Sequence, residues 1–338
     1  MAEIINQYEL IRPFQNQNAG FSRWSIARKG NASFFIKEFM NPRYPDEDTL
    51  EEDLRIERIR ECESFEAKKY ELYRDINEAS DGNLVRIAEF FRVGSRYYMT
   101  TWWIESDGMG PDQIAGLPLK DKMLLCRTAA HSLAALHAKN IIHTDIKDTN
   151  VIVHMSKGGK PVAKIIDFDA CLYEYDLPEH EEDLEGDQVY LSPEACLFLC
   201  GEEARLSCKM DVFAMGLLFH QYLTGKLPWF DTDVYDYAHE AVLDDFVLKA
   251  DAGAIQSPRL REIIESMLLR DPERRASATE VYSRLTAFCL EHFPDQTPHK
   301  EDARIHRPGG SPEDRKGPVN VSAKLKFSSD FFKQAEDL

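Results

Sequence analysis

One loop of the sequence carries the pattern HTDIKDTN at residues 143–150, and the apolar run VIV at residues 151–153 follows it directly. The loop brings together three chemically different groups: the carboxylate of Asp145, the ammonium of Lys147 and the amide of Asn150. A short polar loop that ends at an apolar strand holds such side chains at a defined place, because the strand fixes where the loop stops. The pattern therefore indicates a reaction site at the start of a strand.

A second carboxylate follows another short apolar strand, in the pattern IIDFD at residues 165–169. Phosphoryl transfer requires an acceptor that orients the substrate hydroxyl, a cation near the transferred phosphate and oxygen ligands for Mg²⁺. The first loop supplies all three, and Asp167 of the second segment adds an oxygen ligand beside it. The two segments together favour phosphoryl-transfer chemistry.

These segments resemble two motifs of the protein kinase family, the catalytic loop H-R-D-x-x-x-x-N and the metal loop D-F-G. Three more stretches resemble later family motifs (G-T-x-x-Y-x-A-P-E, D-V-W-S-x-G and D-P-x-x-R): GDQVYLSPE at 186–194, DVFAMG at 211–216 and DPERR at 271–275. The ordered motifs extend over roughly residues 10–290. The chain is identified from them as a divergent member of the eukaryotic-like (Hanks-type) serine/threonine kinases.

The resemblance implies a role for each residue of the two loops. Asp145 would accept or orient the proton of the substrate hydroxyl, and Lys147 would neutralise the γ-phosphate. A lysine at this position is typical of the serine/threonine branch. Asn150 and Asp167 would hold Mg²⁺, with Mn²⁺ as the alternative metal, and ATP would be the phosphoryl donor.

The resemblance also implies a nucleotide site in the N-terminal part of the chain. Lys37 stands where the family places the strand lysine that grips the α- and β-phosphates, and Glu66 is the predicted ion-pair partner, with Glu63 as the alternative. The glycine-rich loop is the weakest match, because QNAGFSRW at 17–24 has a single glycine. The further predicted nucleotide contacts are Ala19, Gly20, Ser22, Thr101, Trp102 and Ile104.

The sequence departs from the family at positions that concern regulation. Thr144 replaces the arginine that pairs with a phosphorylated activation loop, and Asp187 replaces a threonine that helps to fix the catalytic aspartate. No serine or threonine occurs between Asp169 and Leu191, a strongly acidic segment. We expect activity without serine/threonine phosphorylation of that segment; the alternative is a solvated acidic loop.

The secondary-structure pattern predicts an α+β, bilobal kinase-like fold. Strands are predicted within residues 7–39 and 84–104, with one long helix from about 48 to 78 between them. Beyond residue 119 the pattern is mainly helical. The predicted organisation is an N-lobe at 1–104, a C-lobe at 105–292 and a disordered tail at 293–338, and the resemblance predicts a structural ion pair of Glu194 with Arg275.

Composition limits the partners. The formal charge of −18 argues against nucleic acid or an anionic membrane surface and is compatible with basic protein substrates. The seven cysteines have no C-x-x-C pairing, and no secretion signal or apolar run of spanning length occurs. These features predict free thiols and a cytoplasmic location. The sequence does not indicate an oligomeric state.

Two other functions are compatible with parts of the pattern. A small-molecule kinase of the aminoglycoside or choline type would also have H-x-D-x-x-x-x-N followed by a metal-binding aspartate, and would accommodate Asp169 after Phe168. The stretches at 186–194, 211–216 and 271–275 favour a protein kinase instead. The second alternative is a nucleotide-binding pseudokinase scaffold. The degraded glycine loop is compatible with it, but the intact metal ligands argue against it.

Overall fold

The structure is a computed structural model that describes residues 3–16, 22–46, 51–80, 82–104, 106, 108–156 and 158–294. It divides into two compact units, Met1–Glu105 and Ser106–Leu338. Ala19, Gly20 and the predicted tail from residue 295 onward lie outside the described residues. Within the described part, no helix is long and apolar enough to cross a membrane.

The first unit is built on a six-stranded sheet in the order β1-β2-β3-β4-β6-β5, in which every neighbouring pair is antiparallel. Gly30 joins the two longest strands in a tight turn with a φ of 61°, a left-handed conformation that glycine adopts without strain. The strands are β1 (Ile4–Ile5), β2 (Tyr8–Leu10), β3 (Ser22–Lys29), β4 (Ala32–Phe39), β5 (Ile87–Val93) and β6 (Arg96–Trp102).

A single long helix, α1 (Glu52–Ala79), belongs to this unit and packs on one face of the sheet. It starts four residues later than the sequence pattern predicts and continues without interruption. Aromatic rings form the contact: the Phe65 ring centroid lies 5.5 Å from that of Phe39 and 5.2 Å from that of Tyr97. These edge-to-face and tilted aromatic contacts hold the helix against strands β4 and β6.

The second unit is mainly helical, and its small strands form two-stranded pairs at the candidate site. Strands β7 and β10 pair with each other, as do β8 and β9. The elements are α2 (Pro111–Ala115), α3 (Leu119–His137), β7 (Ile141–Ile142), β8 (Val151–Met155), β9 (Pro161–Ile165), β10 (Leu172–Tyr173), α4 (Pro193–Leu199), α5 (Lys209–Thr224), α6 (Ala238–Leu243), α7 (Pro258–Met267) and α8 (Ala278–His292).

Helix α5 is buried at the centre of this unit. Its apolar residues occur all round the helix rather than on one stripe, as burial on all sides requires. Val212, Phe213 and Leu217 are fully buried. Gly216 lets helix α7 approach closely: a β-carbon at this position would lie 2.9 Å from the β-carbon of Met267. The β-rich first unit and the helical second unit confirm the predicted α+β class.

Candidate active site

Asp211, at the start of α5, holds the loop at 143–150 from behind. Its two carboxylate oxygens accept the backbone N–H groups of His143 at 2.7 Å and Thr144 at 2.9 Å. The Nε2 of His137 lies 2.9 Å from the same carboxylate, which is 1 % exposed. A buried carboxylate with three hydrogen-bonding partners is a rigid anchor, so α5 determines the position of the loop.

Thr144 occupies an unusual backbone conformation, with a φ of 67° that a β-branched residue rarely adopts. Its hydroxyl donates to the carbonyl oxygen of Ala170 at 3.0 Å. Two residues later β10 pairs with β7, with Leu172 opposite Ile142. Thr144 therefore connects the loop at 143–150 to the segment after Asp167 through a neutral hydrogen bond.

The two oxygens of the Asp145 carboxylate differ in their hydrogen-bonding partners. Its Oδ2 accepts the side-chain N–H of Asn150 at 2.7 Å and lies 2.9 Å from Nζ of Lys147. Its Oδ1 is buried and accepts no hydrogen bond from the residues described by the structure. Because a buried acceptor without a donor is destabilising, an atom in this state is suited to receive a hydroxyl from outside the protein.

Lys147 lies between two carboxylates, since its Nζ is also 3.7 Å from Oδ2 of Asp187. Burial lowers the pKa of Lys147, but the hydrogen bond to Asp145 and the charges of Asp145, Asp187 and Asp167 raise it by more. The net pKa of Lys147 is therefore above its usual value, and the side chain stays cationic at neutral pH.

Asn150 and Asp167, the predicted metal ligands, lie at the ends of neighbouring strands. The N–H of Ile166 donates to the carbonyl oxygen of Asn150 at 2.9 Å, and the His143 ring lies 3.0 Å from the carbonyl of Ile166. Asp167 has a φ of 62°. Because the Asn150 side-chain nitrogen donates to Asp145, its amide oxygen remains as a potential ligand.

A carboxylate and an amide oxygen suit Mg²⁺, which protein sites often hold through one or two side chains together with nucleotide phosphates. Among the residues that the structure describes, no group of three or more His, Cys, Asp or Glu side chains is arranged to hold a metal ion. The metal role itself remains a prediction.

In the first unit, Lys37 is buried, 4 % exposed, in the middle of β4. It lies on the same strand face as Phe39, whose ring contacts Phe65 of α1, so Lys37 faces the helix. Glu66 is on α1, with Oε1 3.6 Å from Nε of Arg92. Glu63, the alternative, is exposed. The Lys37–Glu66 pairing remains a prediction, and the structure places Glu66 beside Arg92.

The other predicted nucleotide contacts within the described residues lie on strands β3 and β6 of the sheet or just after β6. Ser22 is buried at the start of β3, opposite Phe39. Thr101 is buried at the end of β6, and Trp102 packs on Phe34 at 4.6 Å between ring centroids. Ile104 follows as a half-buried residue. Their contact with a nucleotide remains a prediction.

The segment from Asp169 to Leu191 ends in a buried cluster of the second unit. Leu184 and Leu191 pack with Ala195 and its neighbours, and the Tyr190 hydroxyl donates to Oε1 of Gln221 at 2.7 Å. Burial raises the pKa of the Tyr190 phenol. The end of the segment is therefore held by packing and a neutral hydrogen bond.

The predicted pair of Glu194 and Arg275 is confirmed. The guanidinium donates to both oxygens of the carboxylate, at 2.6 and 2.9 Å, and both side chains are almost fully buried. Arg275 also donates to backbone carbonyls of neighbouring turns. The pair joins α4 to the turn before α8 and is distant in sequence from the loop at 143–150.

Comparison with known proteins agrees with this geometry. Residues 61–285 match the protein kinase domain. Serine/threonine-protein kinase ULK3 of Xenopus laevis is 27% identical over 191 residues, which cover 56% of this chain and 38% of that protein. Serine/threonine-protein kinase Pkn1 of Myxococcus xanthus is 27% identical over 251 residues, covering 73% of this chain and 34% of that protein.

The chain therefore belongs to the protein kinase family, and its α+β architecture is that of the bilobal kinase fold. Within the family it is a divergent member of the Hanks-type serine/threonine branch, as the relatives indicate. It spans about a third of the length of these relatives.

Sequence reasoning missed two contributions to the site. The sequence assigned no role to His137, but its Nε2 lies 2.9 Å from the anchoring carboxylate of Asp211. The sequence identified Asp187 only as the residue that replaces a family threonine, but its Oδ2 lies 3.7 Å from Nζ of Lys147. The signal for Asp187 was a charged residue in place of a neutral one within a motif. Nothing in the sequence indicated the contact of His137.

Proposed function

We propose that this chain is an ATP-dependent protein kinase that transfers the γ-phosphoryl group to serine or threonine hydroxyls of protein substrates. The observation that carries the proposal is the state of Asp145: one carboxylate oxygen is fixed by Asn150 and Lys147, and the other is buried and accepts no hydrogen bond from any residue that the structure describes. That arrangement suits a group that accepts the proton of an incoming hydroxyl. The family membership supports the same chemistry.

In the proposed reaction, Oδ1 of Asp145 accepts the hydroxyl proton as the substrate oxygen bonds to the γ-phosphorus and the bond to the leaving oxygen of ADP breaks. Lys147, held cationic by its neighbours, stabilises the charge on the transferred phosphoryl group. Bound Mg²⁺ would neutralise phosphate charge, with Asn150 and Asp167 as its protein ligands. Lys37 would bind the α- and β-phosphates.

The kinase is proposed to be active without serine or threonine phosphorylation of the segment at 169–191. Thr144 replaces a phosphate-binding arginine and holds Ala170 through a neutral hydrogen bond. No lysine or arginine occurs between Lys164 and Arg205, so this stretch offers no cation to a phosphate. Protein purified after phosphatase treatment should retain its activity. This part of the proposal would be refuted if phosphatase treatment abolished the activity and rephosphorylation within residues 169–191 restored it.

The same acidic stretch supports basic protein substrates, since carboxylates beside the site attract lysine and arginine near the accepted hydroxyl. All seven cysteines are free thiols, which supports a reducing compartment such as the cytoplasm. Both statements are parts of the proposal. A peptide array in which basic and acidic residues flank one serine tests the first.

The decisive experiment measures transfer from labelled ATP with Mg²⁺ to the protein itself and to a basic protein. Asp145→Asn should lower the rate by about 10²–10⁴, because it removes the proton acceptor. Asp148→Asn is the matched control: this carboxylate is in the same loop, and its Oδ1 accepts the N–H of Thr149 at 2.9 Å. Phosphoamino-acid analysis should place the label on serine or threonine.

The alternatives predict different results. A nucleotide-binding scaffold would bind ATP but incorporate no label with either the wild type or Asp145→Asn. A small-molecule kinase would leave proteins unlabelled and transfer phosphate to a metabolite in a panel of aminoglycosides and amino alcohols. Either result would overturn the proposed protein kinase activity.

A further inference from the structure

One surface of the second unit exposes apolar side chains around Trp229. This tryptophan is 70 % exposed, and its ring centroid lies 5.6 Å from that of Phe246. The hydroxyl of Tyr235 donates to Oδ2 of Asp244 at 3.0 Å, which holds the stretch after Trp229 beside the stretch that contains Phe246. We call the exposed side chains of residues 229–247 the Trp229 surface. Exposed apolar patches of this kind often mark interaction sites.

The Trp229 surface adjoins a cavity in the second unit, because Phe246 also lines that cavity. The volume of the cavity is about 780 Å³, which is enough for several side chains of a bound segment. Helix α7 contributes Glu262 and Glu265 to its wall. The apolar lining residues include Leu197, Val242, Leu243, Phe246, Val247 and Leu268.

The charge around this surface is strongly acidic. No lysine or arginine occurs between Lys226 and Lys249, and six acidic residues do: Asp231, Asp233, Asp236, Glu240, Asp244 and Asp245. The two flanking lysines are paired, with Nζ of Lys226 2.9 Å from Asp251 and Nζ of Lys249 3.2 Å from Glu265. Asp245 pairs with Arg270. An apolar surface with an acidic rim favours a segment that combines aromatic rings with cationic side chains.

We propose that residues 324–333 of this same chain, KLKFSSDFFK, dock on the Trp229 surface and its cavity. The segment has three phenylalanines and a leucine, and three lysines against one aspartate. It is complementary to the surface in both respects, because its rings supply apolar contact area and its lysines meet an acidic rim. Docking of this kind goes beyond the proposed function and does not require kinase activity.

The chain leaves the described part beside a helix that lines the cavity. Near the end of α8, Glu291 pairs with Arg259 at the start of α7, at 2.6 Å. Glu265, which lines the cavity, lies about 9 Å further along α7. Residues 293–323 connect α8 to the segment, and a connection of about 30 residues spans roughly 30 Å. The segment therefore reaches the cavity at an effective concentration of about 1 mM.

Hydrogen exchange of the full chain, measured by mass spectrometry, tests the docking. Peptides that cover residues 229–249 should exchange more slowly in the wild type than in the double variant Phe327→Ser with Phe331→Ser. At an effective concentration of about 1 mM, a segment with a Kd of about 0.1 mM would slow this exchange about tenfold. Val319→Ser with Val321→Ser, outside the segment, is the matched control and should leave the exchange as in the wild type.

Two further changes in the full chain test the surface and the charge. Trp229→Ser should remove the protection of residues 324–333, whereas Leu54→Ser, at an exposed side chain of the first unit, should not. Ser328→Asp with Ser329→Asp adds two carboxylates to the segment and should speed the exchange of the Trp229 surface, because the rim is acidic. The corresponding pair of alanine changes should keep the wild-type exchange.

Equal exchange of residues 229–249 in the wild type and in the phenylalanine variant would overturn the proposal. Protection that increases with protein concentration would also overturn it, because the segment would then dock on a second copy. Protection of residues 324–333 that persists in Trp229→Ser would mean docking elsewhere. An unchanged exchange in the aspartate pair would refute the acidic rim as the basis of docking. None of these measurements needs ATP, so an inactive kinase would refute the proposed function alone.

Discussion

Two groups of opposite charges in the second unit are built differently. Arg275 uses its N–H groups on Glu194 and on the carbonyls of Leu269, Lys209 and Arg270. At the candidate site, by contrast, one buried oxygen of Asp145 has no donor within the described part of the chain. A satisfied buried pair can only maintain structure, whereas an unfilled acceptor has capacity for a ligand. The two groups of charges therefore differ in how many of their hydrogen-bonding atoms have partners.

The strongest test removes one half of the buried pair. Arg275→Ala should lower the free energy of unfolding by about 3–5 kcal/mol, because it leaves the carboxylate of Glu194 buried without a counter-charge. Urea denaturation followed by circular dichroism measures the change.

The matched variant is the apolar double replacement Glu194→Leu with Arg275→Met, which removes both charges at similar volume. It should recover most of the loss. A double variant as unstable as Arg275→Ala would show that the carbonyl hydrogen bonds of Arg275, and not the ion pair, account for the stability.

A second variant tests packing without charge. Gly216→Ala would place a β-carbon 2.9 Å from that of Met267, and neither atom is at the end of a flexible side chain. Overpacking costs about 1–3 kcal/mol, and the better helix propensity of alanine offsets up to about 1 kcal/mol. We expect a net loss of about 1–2 kcal/mol in urea denaturation, with Ala214→Gly in the same helix as a comparison for propensity. A more stable Gly216→Ala would show that α7 can shift.

His220 extends the comparison to a buried group that titrates. Its Nδ1 lies 2.7 Å from the carbonyl of Lys226, and its Nε2 accepts the N–H of Asp251 at 3.1 Å. Burial lowers the pKa of His220 from its usual 6.5, although the carbonyl of Lys226 opposes this. The unfolded chain therefore binds the proton more readily, and stability falls as the pH decreases below 6.5 toward the lowered folded value.

His220→Gln has no titrating ring and should reduce this acid loss when unfolding free energies at pH 7.5 and pH 5 are compared. His180→Gln, at an exposed histidine, is the control and should keep the wild-type difference. Equal pH dependence in all three proteins would contradict the assignment to His220.

The smallest stability effect is expected at the site itself. Lys147 is partly exposed, so Lys147→Ala should change the free energy of unfolding by no more than about 1 kcal/mol. Its transfer rate should nevertheless fall steeply, because the cation beside the transferred phosphate is lost. A large loss of stability would place Lys147 with the structural pairs instead.

Sequence patterns were sufficient to predict the long strands, the long helix and one structural ion pair. Alternating apolar residues predicted the long strands, and the single long helix followed from its 3.6-residue spacing. The Glu194–Arg275 pair followed from family motifs. The short strand at Ile4–Ile5 was not predicted, because two residues carry no usable periodicity.

Side-chain direction set the limit of prediction at the site. Helix α1 carries many glutamates, and only its rotation over the sheet places Glu66 beside Arg92. Likewise, the contact of Asp187 with Lys147 depends on a local turn at Val189 that is not encoded in the motif. Residue type and motif supplied the candidate site residues, while the pairing of their side chains required coordinates.

The carboxylate of Asp211 also has a consequence for how the chain folds. It holds the backbone of His143 and Thr144 across 68 and 67 positions of sequence, so the loop cannot take its final form before helix α5 is in place. Nascent chains that have not yet produced α5 would lack an ordered site. The candidate site would then become ordered only together with helix α5.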